Sequence, residues 1–237
     1  MIRAVFFDAG ETLVYPHPSF AELFAEVLGE QGHPIEPEAV QGVVHASSEA
    51  FNELMLSETA QNWSTSPERS RALWDVVYRV FLKETGIDER EHEPLVKALY
   101  DRFRNIASYR LYPDVIPMLE RLRGMDLTLG LISNFEDWLE QLLETLEVSH
   151  FFDVTVISGI EGVEKPDTRI FDIALERAGM EAADSVYVGD NPIFDAEPAQ
   201  KAGMIPVVID RRGRHANSEF TRIESMEDLP AAIGIDS

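Results

Sequence analysis

Five short runs, each apolar almost throughout and separated by stretches of helical spacing, constrain the fold of this 237-residue chain more than anything else in it. They are Ala4–Asp8, Thr128–Ser133, Val154–Ser158, Ser185–Gly189 and Ile205–Ile209. A strand with one face in water alternates apolar and polar residues. Runs without that alternation indicate burial on both faces, as in a parallel sheet covered by helices. Amphipathic stretches near 114–124, 136–147, 167–179 and 193–203 supply the crossovers. Between Asp114 and Leu122, for example, apolar residues at 115, 116, 118, 119 and 122 share one helix face. The pattern predicts a doubly wound, Rossmann-like α/β core.

Residues 16–110 break this alternation. They contain no convincing strand, and apolar residues recur at helical spacing: Phe20, Leu23, Phe24, Val27 and Leu28, then Leu73, Trp74, Val77, Phe81 and Leu82. Pro34 and Pro37, then Pro67, then Pro94 punctuate the segment into about four helices. The expectation is an all-helical cap domain, 16–110, inserted into a core made of 1–15 and 111–237. Tyr112-Pro113-Asp114 marks the return to the core.

Charge narrows the partners. The 43 acidic residues against 20 basic ones give a formal charge of -23, which argues against nucleic acid, since phosphate backbones need a basic stripe. A phosphate-binding site on so acidic a surface would need local positive charge, from a metal and a lysine. No run approaches the roughly 20 apolar residues that span a bilayer, so no membrane partner is expected. Met1-Ile2-Arg3 leads into a short run ending in an acid, unlike a secretory signal. The absence of cysteine excludes disulfides and is compatible with a reducing compartment, so the expected location is the cytoplasm. Nothing in the sequence specifies an oligomeric state.

In an open parallel sheet, ligands bind beyond the carboxyl ends of the strands. Asp8, Ser133 and Asp190 each end or follow a strand-like run, so all three converge on one edge. Lys165, on the loop after Val154–Ser158, can reach the same place. Carboxylates brought together repel unless a cation binds them, and oxygen-only ligands favour magnesium. A carboxylate closing a buried strand, with a glycine two residues on, suggests a nucleophile held above the sheet. The plainer alternatives are that Asp8 caps a turn, that Ser133 is a turn residue, and that Asp195 is an acid in the first turn of a helix.

Asp8-Ala9-Gly10-Glu11-Thr12-Leu13, Leu131-Ile132-Ser133-Asn134, Lys165-Pro166 and Gly189-Asp190-Asn191 with Asp195 close behind resemble, in order and spacing, the four motifs of the haloacid dehalogenase (HAD) superfamily. Most of its members transfer phosphoryl groups through an aspartyl phosphate. The resemblance implies that Asp8 is both nucleophile and magnesium ligand. Gly10 would offer its backbone carbonyl to the metal, and Asp190 would be the second carboxylate ligand. Thr12 and Ser133 would hydrogen-bond the phosphoryl oxygens, Asn134 and Lys165 would help bind the substrate, and Lys165 would neutralise charge in transfer. Asp195 and Asn191 would stand behind these groups. An insertion between the first and second motifs would be the helical cap that closes over a small phosphorylated substrate.

Gly10 departs from the phosphatase pattern. Phosphatases of this superfamily carry there an aspartate that protonates the leaving alcohol and then activates water, help worth ~10²–10⁴-fold. Three explanations compete. Glu11 could act instead; the leaving group could need no proton, as in an acyl or aryl phosphate; or the chain could be a weak or silent module that binds phosphate, magnesium or a protein partner. A haloacid dehalogenase would need an arginine early in the cap to hold halide, yet no Lys or Arg occurs between Arg3 and Arg69. A phosphonoacetaldehyde hydrolase would need an early cap lysine, and the first one here is Lys83.

Overall fold

A computed structural model of the chain describes residues 1–47, 51, 53–55, 57 and 60–235. The chain forms two compact units, Met1–Val14 with Leu111–Ser237, and Tyr15–Arg110. The strands are β1 (Ala4–Phe7), β2 (Val14–Pro16), β3 (Tyr109–Leu111), β4 (Thr128–Ser133), β5 (Val154–Ile157), β6 (Ser185–Gly189), β7 (Ile205–Ile209) and β8 (Thr221–Ile223). Six of them make one sheet in the order β5-β4-β1-β6-β7-β8, parallel at every pairing. Chain order reverses around β1, which lies between β4 and β6. The carboxyl ends of these three strands therefore mark the topological switch point where ligands bind in such sheets.

All five apolar runs are strands, to within one residue at their ends. The expectation of no strand within 16–110 needs correction at its margins, because Pro16 lies in β2 and Tyr109 and Arg110 lie in β3. These two strands form a separate two-stranded ladder where the chain passes between the units. At three residues each they, like β8, are too short to display a period.

In the unit Tyr15–Arg110 the helices are α1 (Phe20–Glu30), α2 (Pro37–Ala46), α3 (Pro67–Glu84) and α4 (His92–Phe103). Ser19 caps α1 by accepting from Glu22 N at 3.2 Å, and Ser66 caps α3 by accepting from Arg69 N at 3.3 Å. Pro37 and Pro67 open α2 and α3, where a missing N–H costs nothing. Leu73, Val77, Phe81 and Leu82 line the buried face of α3 and pack with Phe24, Leu28, Leu95 and Leu99.

In the sheet-bearing unit, α5 (Val115–Arg123), α6 (Leu139–Thr145), α7 (Ser158–Glu161), α8 (Arg169–Ala178) and α9 (Glu197–Lys201) fall in or beside the connections. Gly179, in the left-handed region at φ 63, ends α8. Ile170, Phe171, Ala174 and Leu175 of α8 cover Phe6, Ile132 and Tyr187 on one face of the sheet. Phe6 lies opposite Gly130 in register, and a Cβ at Gly130 would come within 2.3 Å of its ring. The helix expected near 193–203 is instead a π-helical turn, Pro192–Ala196, followed by the short α9. Pro198 has no N–H to continue an ordinary helical ladder through this point.

Candidate active site

Asp8 follows β1 directly, and its backbone N–H donates to Val188 O at 2.9 Å, which ties it to β6. Ser133 is the last residue of β4 and Asp190 the first after β6. Because the three strands are parallel neighbours, these side chains share one edge. Asp8 Oδ1 accepts from Ser133 Oγ at 3.0 Å and from Lys165 Nζ at 2.7 Å. The Lys165 ammonium also donates to Asp195 Oδ1 at 2.5 Å and to Tyr187 OH at 2.9 Å. Its three N–H groups thus meet three acceptors. Tyr187 passes the chain on by donating to Ile132 O at 2.8 Å. Lys165, Asp8 and Asp195 are only 3%, 7% and 2% exposed, so these charges stand in place of solvent for one another.

The loops around this cluster are built to hold it. Asn134 accepts from Lys165 N at 2.7 Å and donates to Lys165 O at 2.8 Å, so its amide is taken up by the lysine's main chain. Asp195 Oδ2 accepts from Asn191 N at 2.9 Å. The Asn191 side chain accepts from Ile193 N at 2.9 Å and Phe194 N at 3.3 Å, opening the π turn that presents Asp195. Asp195 packs on Gly189, where a Cβ would sit 2.3 Å from Asp195 Cγ. Any larger residue there would push the carboxylate off the lysine.

Burial pushes the Asp8 carboxyl above its ordinary range against the attraction of Lys165, and Asp195 raises it further. Asp190 is driven well above its ordinary value by burial first and by Asp195 and Asp8 next. Burial alone would push the Lys165 ammonium down, but Asp195 and Asp8 outweigh it and hold the group above its usual value. Three carboxylates thus share one ammonium. Asp8, Asp190 and Asp195 each offer an oxygen within 4.8 Å of the others'. Asp195 is already engaged by Lys165 and Asn191, so Asp8 and Asp190 are the pair best able to face a cation. A compact, oxygen-only, net negative donor set fits a hard dication such as magnesium.

The loop after Asp8 carries the departures. A Cβ built on Gly10 meets nothing within 4 Å. Glu11 adopts φ 55, and its carboxylate accepts from Tyr112 OH at 2.9 Å and from Arg212 Nη2 at 2.6 Å. Thr12 is fully buried, and its hydroxyl has no hydrogen-bond partner among the described residues. The Thr12 carbonyl accepts from Arg211 Nε at 3.2 Å and Nη2 at 2.9 Å.

The fold thus brings Asp8, Ser133, Lys165, Asp195, Asn134 and Asn191 into one hydrogen-bonded cluster, with Asp190 in reach. Tyr187, Tyr112, Arg211 and Arg212 were not foreseen as parts of this region. The signals were present: a tyrosine in the middle of a buried strand, and an arginine pair just past the end of β7 in a chain of net charge -23.

The sequence pattern of the haloacid dehalogenase-like hydrolases, described as a hydrolase family, matches residues 2–203. A glyceraldehyde 3-phosphate phosphatase of Methanopyrus kandleri is 34% identical over 97% of this chain and 92% of its own length. A phosphoserine phosphatase of Thermus thermophilus is 32% identical over 77% of this chain and 74% of its own. A crystal structure of a 2-haloacid dehalogenase from Pseudomonas syringae superposes with a TM-score of 0.60 at 26% identity, over 99% of both chains. Among the described residues, no helix is long and apolar enough to cross a membrane.

Proposed function

This chain belongs to the haloacid dehalogenase-like hydrolase family, and from that premise we propose that it is a magnesium-dependent phosphohydrolase of a small phosphorylated metabolite. The observation that carries the reading is Asp8, buried at the end of β1 with one carboxylate oxygen held by Ser133 and Lys165 and with Asp190 beside it. Two phosphatases among its relatives support the reaction class.

In this reading an Asp8 oxygen attacks phosphorus, the bond from phosphorus to the leaving oxygen breaks, and an aspartyl phosphate remains. Water then attacks that phosphorus, releasing orthophosphate and restoring the carboxylate. Lys165 offsets the negative charge gathering on Asp8 and on the transferring group, the electrostatic help on which phosphoryl transfer relies. Ser133 fixes the nucleophile, and the unpartnered Thr12 hydroxyl is the group assigned to a phosphoryl oxygen. Asn134 is assigned to holding the Lys165 main chain, with Asn191 and Asp195 holding the ammonium from the other side. Asp8, Asp190 and the Gly10 carbonyl would hold magnesium, which supplies charge neutralisation of the phosphate when bound. The helical unit is read as the family's cap, where substrates are selected.

No side chain on Gly10 can give the leaving group a proton, and Glu11 is occupied by Tyr112 and Arg212. Aryl and acyl phosphates, whose leaving groups need least protonation, are therefore the expected better substrates. The same observation favours a second reading, a weak or silent module that binds phosphate and magnesium or a protein. A dehalogenase reading would still use Asp8 as the nucleophile, but it leaves the Asp8 and Asp190 pair without a cation.

The test is p-nitrophenyl phosphate hydrolysis with and without magnesium, in wild type and Asp8→Asn. Metal-dependent release that falls at least ~10³-fold in the variant is the expected outcome. Release equal in both proteins would put the silent module first.

A further inference from the structure

Taking Asp8 as the nucleophile, as proposed above, we propose that Arg211 and Arg212 are positioning residues that clamp the nucleophile loop from outside the motifs of the family. Both follow β7 and lie beyond residue 203, where the match to the family ends.

The loop needs holding. Glu11 sits at φ 55, a left-handed conformation that a residue with a Cβ adopts only at a cost. Each of the three residues Glu11, Thr12 and Leu13 is gripped from outside the loop. Arg212 and Tyr112 hold the Glu11 carboxylate. Arg211 donates twice to the Thr12 carbonyl. Tyr112 N donates to Leu13 O at 3.0 Å.

Arg211 is itself fixed on three sides. Its guanidinium lies 3.8 Å above the Tyr112 ring and pairs with both carboxylate oxygens of Asp114, at 2.9 and 3.0 Å. Asp114 is anchored in turn by Ser225 Oγ and Met226 N, each donating at 2.9 Å. Arg211 and Asp114 are both only 11% exposed. A planar fork that stacks, pairs with a carboxylate and reaches a carbonyl at once is a task lysine cannot fill. Asp8 lies three residues before Glu11, so a loosened loop re-aims the carboxylate. Misplacement of an attacking group by about 1 Å can cost ~10²-fold in rate.

The experiment compares Arg211→Gln, Arg211→Lys and Arg212→Gln with Arg222→Gln. Arg222 lies in β8 and pairs with Asp210 and Glu224 rather than with the nucleophile loop. Amide hydrogen exchange of residues 9–14 and steady-state kinetics on p-nitrophenyl phosphate are read together. The Leu13 and Val14 amides, both bonded to Ala9 O, should exchange about tenfold faster in Arg211→Gln. Its kcat should fall ~10–10²-fold while KM stays within about twofold. Arg211→Lys should recover only part of the rate, and Arg222→Gln should move neither readout. Arg212→Gln, at a partly exposed site, should loosen the Glu11 amide even if Arg211→Gln does not fold. Unchanged exchange in the clamp variants, an equal change in Arg222→Gln, or a loosened loop with unchanged kcat would overturn the proposal. If wild type shows no turnover that depends on Asp8, the phosphohydrolase reading fails, and exchange alone decides whether the clamp holds the loop.

Discussion

The two units solve the problem of burial in opposite ways. Among the described residues, every buried carboxylate and the one buried ammonium belong to the sheet-bearing unit: Asp8, Glu136, Glu164, Asp195, Asp210 and Lys165. The helical unit buries Phe24, Leu28, Tyr78, Leu82 and Leu99, together with Ser64, Ser70, His92 and Ser108, but no carboxylate or ammonium. Apolar burial is favourable wherever it occurs, at about 25 cal/mol per Å². Burying charges is costly unless each is paired, and a paired set adds little net stability. A chain that concentrates such groups beyond the carboxyl ends of its parallel strands is giving up stability for chemistry there, and the helical unit makes no such sacrifice.

The contrast breaks most directly at Lys165. Lys165→Met leaves Asp8 and Asp195 buried without their ammonium, so a loss of ~3–5 kcal/mol is expected in urea unfolding, along with the Asp8-dependent turnover. A variant as stable as wild type would show that the cluster holds its acids by some other means. In the helical unit the corresponding blow is an empty space. Leu82 is fully buried in the middle of the helical core, and Leu82→Ala should cost roughly 2–5 kcal/mol. Hydrolysis of p-nitrophenyl phosphate at a temperature where the variant is folded should stay near wild type, since Leu82 touches none of the reacting groups. A loss of turnover without loss of stability would contradict the division of labour.

How much of this could be read beforehand depended on range of interaction. Periodicity exposed the buried strands because a residue in a central parallel strand is apolar whichever face it serves, and Pro37 and Pro67 marked the starts of two helices. The order of the strand-end residues indicated where Asp8, Ser133 and Asp190 would gather. What stayed hidden was the partner choice of side chains that meet across long separations. Asn134 carried no sign that its amide would bind the Lys165 main chain, nor Arg211 that it would reach Thr12 and Asp114. Such contacts are set by loop geometry, on which local pattern has no purchase. The π turn at Pro192–Ala196 was hidden for a related reason, since its apolar spacing reads like that of an ordinary helix.

Within the sheet-bearing unit a smaller contrast separates Gly10 from Asp8. One is open on its side-chain side, the other crowded by donors. The space at Gly10 admits a carboxylate, so Gly10→Asp should raise turnover of alkyl phosphates ~10²-fold, the lower end of what general acid–base help supplies. Aryl phosphates should gain far less, because their leaving groups need no proton. Equal gains on both, or none, would remove protonation as the limiting feature.

The smallest effect concerns the acid that anchors the clamp. Burial would raise the Asp114 carboxyl, but hydrogen bonds from Arg211 and the Met226 N–H outweigh it and hold it below its ordinary 3.8. A carboxyl depressed in the folded state binds fewer protons there than in the unfolded chain, so its contribution to stability is fully present above 3.8 and drains away as pH falls through the lower folded value. The stability difference between wild type and Asp114→Asn in urea titrations should therefore be constant from about pH 7 down to about 5 and shrink below 3.8. A difference that instead grew on acidification would mean that Asp114 is held protonated, and that Arg211 reaches Thr12 without the carboxylate pairing that the clamp requires.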